Sequence, residues 1–406
     1  MLIMPLTLPK PGPCIECGES PVFHKATYAS IVIDELLSPL SRPGRGPRFL
    51  ARAGYALEER ISPMLFDAFV ALGMATRLTE PDADTTLLGA TVWEEGKRRG
   101  ISINEIRLFG LPRNIFVATY PDGRRIAYEG IPSDLRDLDR VSWMDNKAEL
   151  KRRFRKAGIP IADGGEAHTL ERAKRVFDSI RPPVIVKPHS GSGSRHTTLQ
   201  ITTHEELARA FAVAKMVTPL PLIEEQLEGL VYRVTVVDGV YAAALRRFPP
   251  QVAGDGTSTV AELVAKENEH PLRAGPYFSR IRLADKADAE LARQGLARDS
   301  IPEEGRIVTL HQKINWTVGG TTEDATEDAH PENIALFERI AKELKAPVMG
   351  MDFIIGDLSR PWHEQERIGV LECNSMPFFE NHLIIFRGTP RNIAAKVWDM
   401  VAPASS

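Results

Sequence analysis

The sequence predicts an α+β fold arranged in several small lobes, and three observations carry that expectation. Helix-period stretches and short β-type runs follow one another along the chain, with two hairpins that turn on Asp-Gly pairs. One β-type run ends in a lysine and a Gly/Ser-rich segment, VIVKPHSGSGSRH at 184–196. Two others near the end, MGMDFII and VLECNS, carry carboxylates among apolar neighbours.

The 406 residues are enough for two or three domains with a sizeable core, and a hydrophobic content of 43% with 26% charged residues is that of an ordinary globular chain. A formal net charge of −3 gives no global case for nucleic acid or an acidic membrane surface. No apolar run approaches a membrane span, and the Pro-broken start MLIMPLTLPKPGP lacks a signal-peptide core. Three cysteines in so long a chain point to a reducing cytoplasm. Cys14 and Cys17 form one CxxC, with His24 downstream. A structural zinc site needs four ligands and no second pair exists, so an ordinary reduced thiol pair stands beside a half-site completed by His24 or by another chain.

From Ile31 to about Leu78 apolar residues recur at helical spacing, as in LFDAFVALGMATRL. ATVWEEGKRRG reads as a helix closed by Gly100, ISINEIRLF as a strand, and IFVATYPDGRRIAYEG as a hairpin at Asp122–Gly123. DNKAELKRRFRKAG is a basic helix with Asp145 as N-cap and Gly158 as stop. Its charges suit a solvated face, yet Lys147 in the first turn opposes the helix dipole and suggests another purpose. TLERAKRVFDSI, VIVKP and TTLQIT alternate helix and strand. A helix opened by the capping box Thr203…Glu206 follows, then PLIEEQL and a hairpin around Asp238–Gly239. TVAELVAKEN is a helix capped from Thr259 to Glu262, and PENIALFERIAKEL begins with Pro331 at its first position. Strands MGMDFIIGD and IGVLECNS precede a last helix, PRNIAAKVWDMV.

The chemistry concentrates at two places. Small residues let backbone N–H groups approach an anion, and Lys187 at the strand end adds a point charge, so phosphate is the expected guest of His189, Ser190, Gly191, Ser192, Gly193 and Ser194. Such a loop should be mobile when empty and ordered when it holds phosphate. On the motif alone, a surface loop that is simply Gly/Ser-rich stays open, and no P-loop pattern is present. At the second place, Glu372 and Asn374 are two apart and share a strand face, while Asp352 lies mid-strand between apolar residues. Two carboxylates and an amide oxygen suit Mg²⁺. A buried ion-pair or hydrogen-bond network is the other reading of the pattern.

VIVKPHSGSGSRH, LIEEQLEG, MGMDF and LECNSMP stand in the order seen in the ATP-grasp superfamily. YRVTVVDGVYAAALRRFPPQVAGDGTSTVAELV and INWTVGGTTEDATED resemble the ATP-grasp modules of cyanophycin synthetases and of bifunctional glutathione enzymes. The resemblance covers about 141–401. It implies an ATP-grasp fold, two α+β lobes (141–223 and 224–406) clamping ATP; the mixed α/β region at 1–140 contributes almost nothing to the resemblance, and a part in the substrate pocket is left open for it. It implies that Lys147 and Lys187 hold the nucleotide phosphates, that the backbone around Glu225 and Leu227 reads adenine, and that Glu224 helps to position it. Asp352, Glu372 and Asn374 match the Mg²⁺ (or Mn²⁺) ligands, and Arg246 and Arg247 match catalytic basic residues near the transferred phosphoryl group. Two departures stand out. Val231 occupies the place of the usual ribose-binding acid, so that either Glu228 substitutes or sugar recognition is looser, and Phe378 and Phe379 stand where relatives carry Gly, to line the acceptor pocket or simply to pack.

The implied activity is ATP-dependent joining of a small carboxylate to an amine, amino acids or peptides, in the cytoplasm and without nucleic acid or membrane; a homo-oligomer is left open. A phosphoryl-transferring kinase or a non-catalytic nucleotide-binding module are the alternatives. With no P-loop anywhere and the chain ending at 406, a stand-alone ligase is expected, without the second ATP domain of cyanophycin synthetase or the cysteine-ligating domain of the glutathione enzymes.

Overall fold

The computed structural model describes residues 14, 16–17, 22–41, 61–132, 144, 147–189 and 195–401. The chain gathers into two compact units, the first of Met1–Gly44, Asn146–Lys151 and Ile161–Leu227, the second of Arg45–Asp145, Arg152–Pro160 and Glu228–Ser406. This grouping differs from a division at 140 and 223, because helix His24–Ser41 falls in the first unit and residues 61–132 in the second. Among the described residues no helix is long and apolar enough to cross a membrane.

The second unit opens with a helix at 61–71 and an antiparallel meander, β1 (Ala75–Leu78), β2 (Ser102–Leu108), β3 (Ile115–Thr119) and β4 (Arg125–Glu129), paired in that order. Helical spacing predicts helix as far as Leu78, but the helix stops before Gly73, which takes a left-handed φ of +70°, and ATRL then pairs with β2. A ladder to a distant strand overrode the local period there. Helix Leu87–Arg98 is capped by Thr86, whose hydroxyl accepts from the Gly89 N–H, and Gly100 closes it at φ +73°, as its sequence predicts. Trp93, Phe116, Tyr128 and Trp398 are fully buried in one core with Val237, Ala243 and Val348. The Trp398 indole N–H donates to the Val92 carbonyl at 2.9 Å, tying helix Ile393–Val401 to helix Leu87–Arg98.

The first unit holds a four-stranded antiparallel sheet of β5 (Gly164–Glu166), β6 (Val184–Pro188), β7 (Thr198–Ile201) and β8 (Pro221–Glu225), in the order β5-β8-β6-β7. Helices Leu170–Phe177 and His204–Lys215 lay Ala173, Val176, Phe177, Leu207 and Phe211 against Val184, Val186 and Ile223. The Thr203–Glu206 capping box is formed, satisfying otherwise orphaned N–H groups at the helix start. Helix Lys147–Ala157 is followed by Gly158 at φ +63°; its expected cap, Asp145, lies outside the described residues.

The larger sheet of the second unit runs β13-β10-β9-β14-β15, every pair antiparallel: β9 (Leu230–Val237), β10 (Val240–Phe248), β13 (Thr321–Asp324), β14 (Val348–Ile355) and β15 (Gly369–Asn374). Asp238 and Gly239 turn the β9–β10 hairpin at φ +50° and +73°. Between them in sequence, β11 (Gln251–Ala253) and β12 (Ile307–Thr309) pair over helices Val260–Glu267 and Asp285–Arg293, whose Val260, Leu263, Val264 and Leu291 enclose Val308. Helix Pro331–Leu344 covers the large sheet, with Phe337 edge-on to Phe353.

Candidate active site

In the first unit, β6 is buried along its whole length, Lys187 included at 9% exposure. A buried ammonium needs an anion, and Glu224 of β8, 1% exposed, supplies it at 2.8 Å. Lys151 of helix Lys147–Ala157, also buried, pairs with the other Glu224 oxygen. Burial alone would raise the Glu224 carboxyl, but the charges of Lys187 and Lys151 outweigh it and hold the group below its ordinary range. His189 lies half-buried with Nδ1 2.8 Å from the Thr218 hydroxyl. At the end of β8 the Glu225 N–H donates to Asp163 O and the Gln226 N–H to Pro183 O, while the Glu225 carboxylate meets Arg181. Leu227 and Lys147 are half-buried, and Ser190, Gly191, Ser192, Gly193 and Ser194 lie outside the described residues.

In the second unit, strand register sorts the candidates by face. Asp352 sits directly opposite Arg233 on one side and Glu372 on the other, and Asn374 lies two residues beyond Glu372, opposite Gly350. Directly paired and i, i+2 residues share a face. Asp352, Glu372, Asn374 and Arg233 therefore stand on one side of the sheet, and Arg247, two removed from Leu245 opposite Arg233, joins them. Each Asp352 oxygen takes one guanidinium, Arg233 at 3.0 Å and Arg247 at 3.1 Å. Gly350 keeps room for this arrangement, since a Cβ there would lie 2.9 Å from an Arg233 nitrogen and 2.6 Å from the Pro377 ring. Arg246, its neighbour in sequence, points to the opposite face, where Tyr232, Glu323 and Asp328 surround its guanidinium.

The donor set fits a hard divalent cation such as Mg²⁺. Two carboxylates and an amide oxygen share one face of adjacent strands, the all-oxygen donor chemistry such a cation takes. Around Arg233 and Arg247 lies a cavity of about 210 Å³, also lined by Asn315, Trp316, Phe378 and Glu380. The two phenylalanines part here: Phe378 is exposed on the cavity and Phe379 is in the core. Val231 is within β9, and Glu228 is ion-paired with Arg367 at 3.1 Å.

Glu380 is 5% exposed, and burial pushes its carboxyl from the ordinary 4.5 up to about 7, against the opposing pull of its own backbone N–H and of Arg233. With the folded value above the unfolded one, the fold prefers the protonated acid. The stability linked to that proton is present below about pH 4.5 and is lost as pH rises through about 7. Glu380→Gln should remove this loss, gaining on the order of 3 kcal/mol over wild type at mildly alkaline pH and nothing in acid. Urea unfolding of both proteins at the two pH values reads it; parallel pH dependences would show a carboxyl that ionises freely.

Lys151, Arg233 and Glu380 were not singled out by sequence. Lys151 was hidden in a run of basic residues, and Arg233 carried the one available signal, a charge inside the apolar strand YRVTVV.

No family model matches the chain. Cyanophycin synthetase of Trichormus variabilis is 33% identical over 262 residues, 64% of this chain and 29% of that protein. The glutathione biosynthesis bifunctional protein of Mannheimia succiniciproducens is 32% identical over 268 residues, 64% of this chain and 35% of that protein. The chain thus spans about a third of the length of these curated relatives. The crystal structure of a bifunctional glutathione synthetase from Pasteurella multocida superposes with a TM-score of 0.60 at 28% identity, covering 79% of this chain and 43% of that one. The chain has the ATP-grasp fold, and over 64% of its length its sequence is similar to the cyanophycin synthetases and the bifunctional glutathione proteins.

Proposed function

We propose that the chain is an ADP-forming carboxylate–amine ligase, working in the cytoplasm on amino acids or peptides. The observation that carries this reading is the single sheet face on which Asp352, Glu372 and Asn374 stand with Arg233 and Arg247. In the proposed reaction a substrate carboxylate attacks the γ-phosphate of ATP, giving an acyl phosphate and ADP. An amine then attacks the acyl carbon and phosphate leaves. Lys147 and Lys187 hold the nucleotide phosphates, and the backbone N–H groups of the Gly/Ser segment from His189 to Ser194 bind there with them. The stretch from Glu224 through Glu225 to Leu227 positions the adenine. Asp352, Glu372 and Asn374 would hold Mg²⁺, which when bound neutralises charge on the transferring group. Arg247, with Arg233 beside it, orients the acceptor carboxylate through a fork of donors. Arg246 supports the same strand from its other face. Glu380 accepts the proton that the incoming ammonium gives up.

ADP release screened against pooled amino acids and dipeptides tests the reading, which requires ADP release that depends on both a carboxylate and an amine. Release that needs no amine would make the chain a kinase. Lys187→Ala should weaken ATP binding by roughly tenfold or more, the scale of a lost charge-assisted contact. Lys151 remains to neutralise Glu224, so the variant should stay folded. Unchanged affinity by calorimetry in the folded variant would remove Lys187 from the site.

A further inference from the structure

We infer that Cys14, Cys17, His24 and His196 form a structural zinc site in the first unit. Among the described residues these four place one ligand atom each within 4.8 Å of all the others. They come from three separated stretches: the CxxC turn, the start of helix His24–Ser41, and the residue two beyond the Gly/Ser segment. Cys17 Sγ lies 3.2 Å from His24 Nε2 and 3.3 Å from His196 Nε2, and Cys14 Sγ lies 4.0 Å from the same His196 nitrogen. Zinc bonds of about 2.3 Å to sulfur and about 2.05 Å to nitrogen, at tetrahedral angles, set a sulfur–nitrogen edge of about 3.5 Å. The observed separations scatter around that edge.

Hydrogen bonding alone serves this cluster poorly. Two imidazole nitrogens converge on one sulfur, which can donate at most one proton. A single cation satisfies all four atoms together. His196 is already set for the part, because its Nδ1 lies 2.9 Å from the Val213 carbonyl and donates to it, leaving the Nε2 lone pair turned toward the sulfurs. The ring is wholly buried, as is Cys17 at 2% exposure. His196 holds a left-handed φ of +52°, and its N–H donates to Glu16 O at 3.2 Å, so backbone as well as side chain joins it to the CxxC turn. Two thiolates and two imidazoles select zinc, whereas the all-oxygen set of the second unit suits magnesium. The site ties Cys14, Cys17 and the start of helix His24–Ser41 to His196, which follows the segment proposed to hold phosphate. Only the role of that segment rests on the proposed function.

The test is metal analysis of the full-length protein, purified under reducing conditions from zinc-supplemented medium. One zinc per chain is expected by mass spectrometry. Exchange for Co²⁺ should give the visible d–d bands of a tetrahedral centre with thiolate charge transfer. Cys14→Ser, Cys17→Ser and His196→Ala should each lose the stoichiometric metal, and Cys373→Ser, remote in sequence and buried in β15, should keep it. Where a ligand-deleting variant fails to fold, His196→Cys preserves four ligands and should retain zinc with a stronger thiolate band. Lys187→Ala should bind a full zinc equivalent whatever its ATP affinity, which separates this inference from the ligase reading. Metal-free wild type with freely reactive Cys14 and Cys17, a Cys14–Cys17 disulfide in the reduced preparation, or full zinc in His196→Ala would each overturn it.

Discussion

Glu372→Gln should abolish trapping of the activated carboxylate by hydroxylamine, with turnover falling on the order of 10³-fold, the scale on which charge-stabilising groups act in such reactions. Wild type with ATP, a carboxylate substrate and hydroxylamine should yield the hydroxamate. The variant should fold, because Glu372 is half-buried on edge strand β15 and glutamine preserves shape and the ladder to β14. It should also keep much of its ATP binding, since the proposed phosphate lysines are in the first unit. A Glu372→Gln enzyme with wild-type turnover would remove the metal from this face. AMP and pyrophosphate as products would indicate an adenylate and defeat the ligase reading.

Glu224→Gln should destabilise the protein by about 3–5 kcal/mol, the scale of breaking a buried ion pair by removing one partner. Lys151 and Lys187 would then be two buried ammonium groups around a neutral amide. Adding Lys151→Met should recover part of the loss, because it takes one of the two buried ammonium groups away. A pH signature accompanies the effect. The Glu224 carboxyl titrates lower in the fold than in the unfolded chain, so its contribution is present above the unfolded value and is lost as pH falls through the folded one. Wild type should surrender that stability in acid, while Glu224→Gln, lacking it from the start, should not. Chemical denaturation across the acid range reads both; coincident wild-type and variant midpoints at neutral pH would leave the triad without energetic weight.

Local chemistry made much of this fold legible in the sequence. The Asp-Gly hairpins, the Thr203–Glu206 and Thr259–Glu262 capping boxes and the stops at Gly100 and Gly158 all depend on residues within a few positions of one another. β1 was not legible, because ATRL carries its strand character only through pairing with β2 about thirty residues later. Lys151 reads as solvated basic surface until Glu224, 73 positions on, is brought against it. The Arg246–Arg247 doublet was visible as a pair, but strand phase, which decides that Arg247 and not Arg246 joins Asp352, follows from register with β9 and β13. The Asp352, Glu372 and Asn374 set was legible because two of its members share one strand and its chemistry is unusual among apolar neighbours. The place of Phe379 in the core could not be told from that of Phe378 on the cavity, since adjacent aromatic residues look alike until packing separates them.

Trp398 gives the second unit a schedule as well as a core. Its indole closes on Val92 across a separation of 306 residues, and Arg99 reaches Asp399 and the Ala395 carbonyl from the same early helix. A ribosome adding roughly 5–20 residues per second needs on the order of 15–60 s to cover that interval. Throughout it, Trp93, Phe116 and Tyr128 wait without the helix that seals them, an apolar face on a growing polypeptide. Such long-range closure slows folding and exposes sticky intermediates. The apolar face of the early meander is therefore completed only by a segment made about three hundred residues later, when helix Ile393–Val401 docks on it.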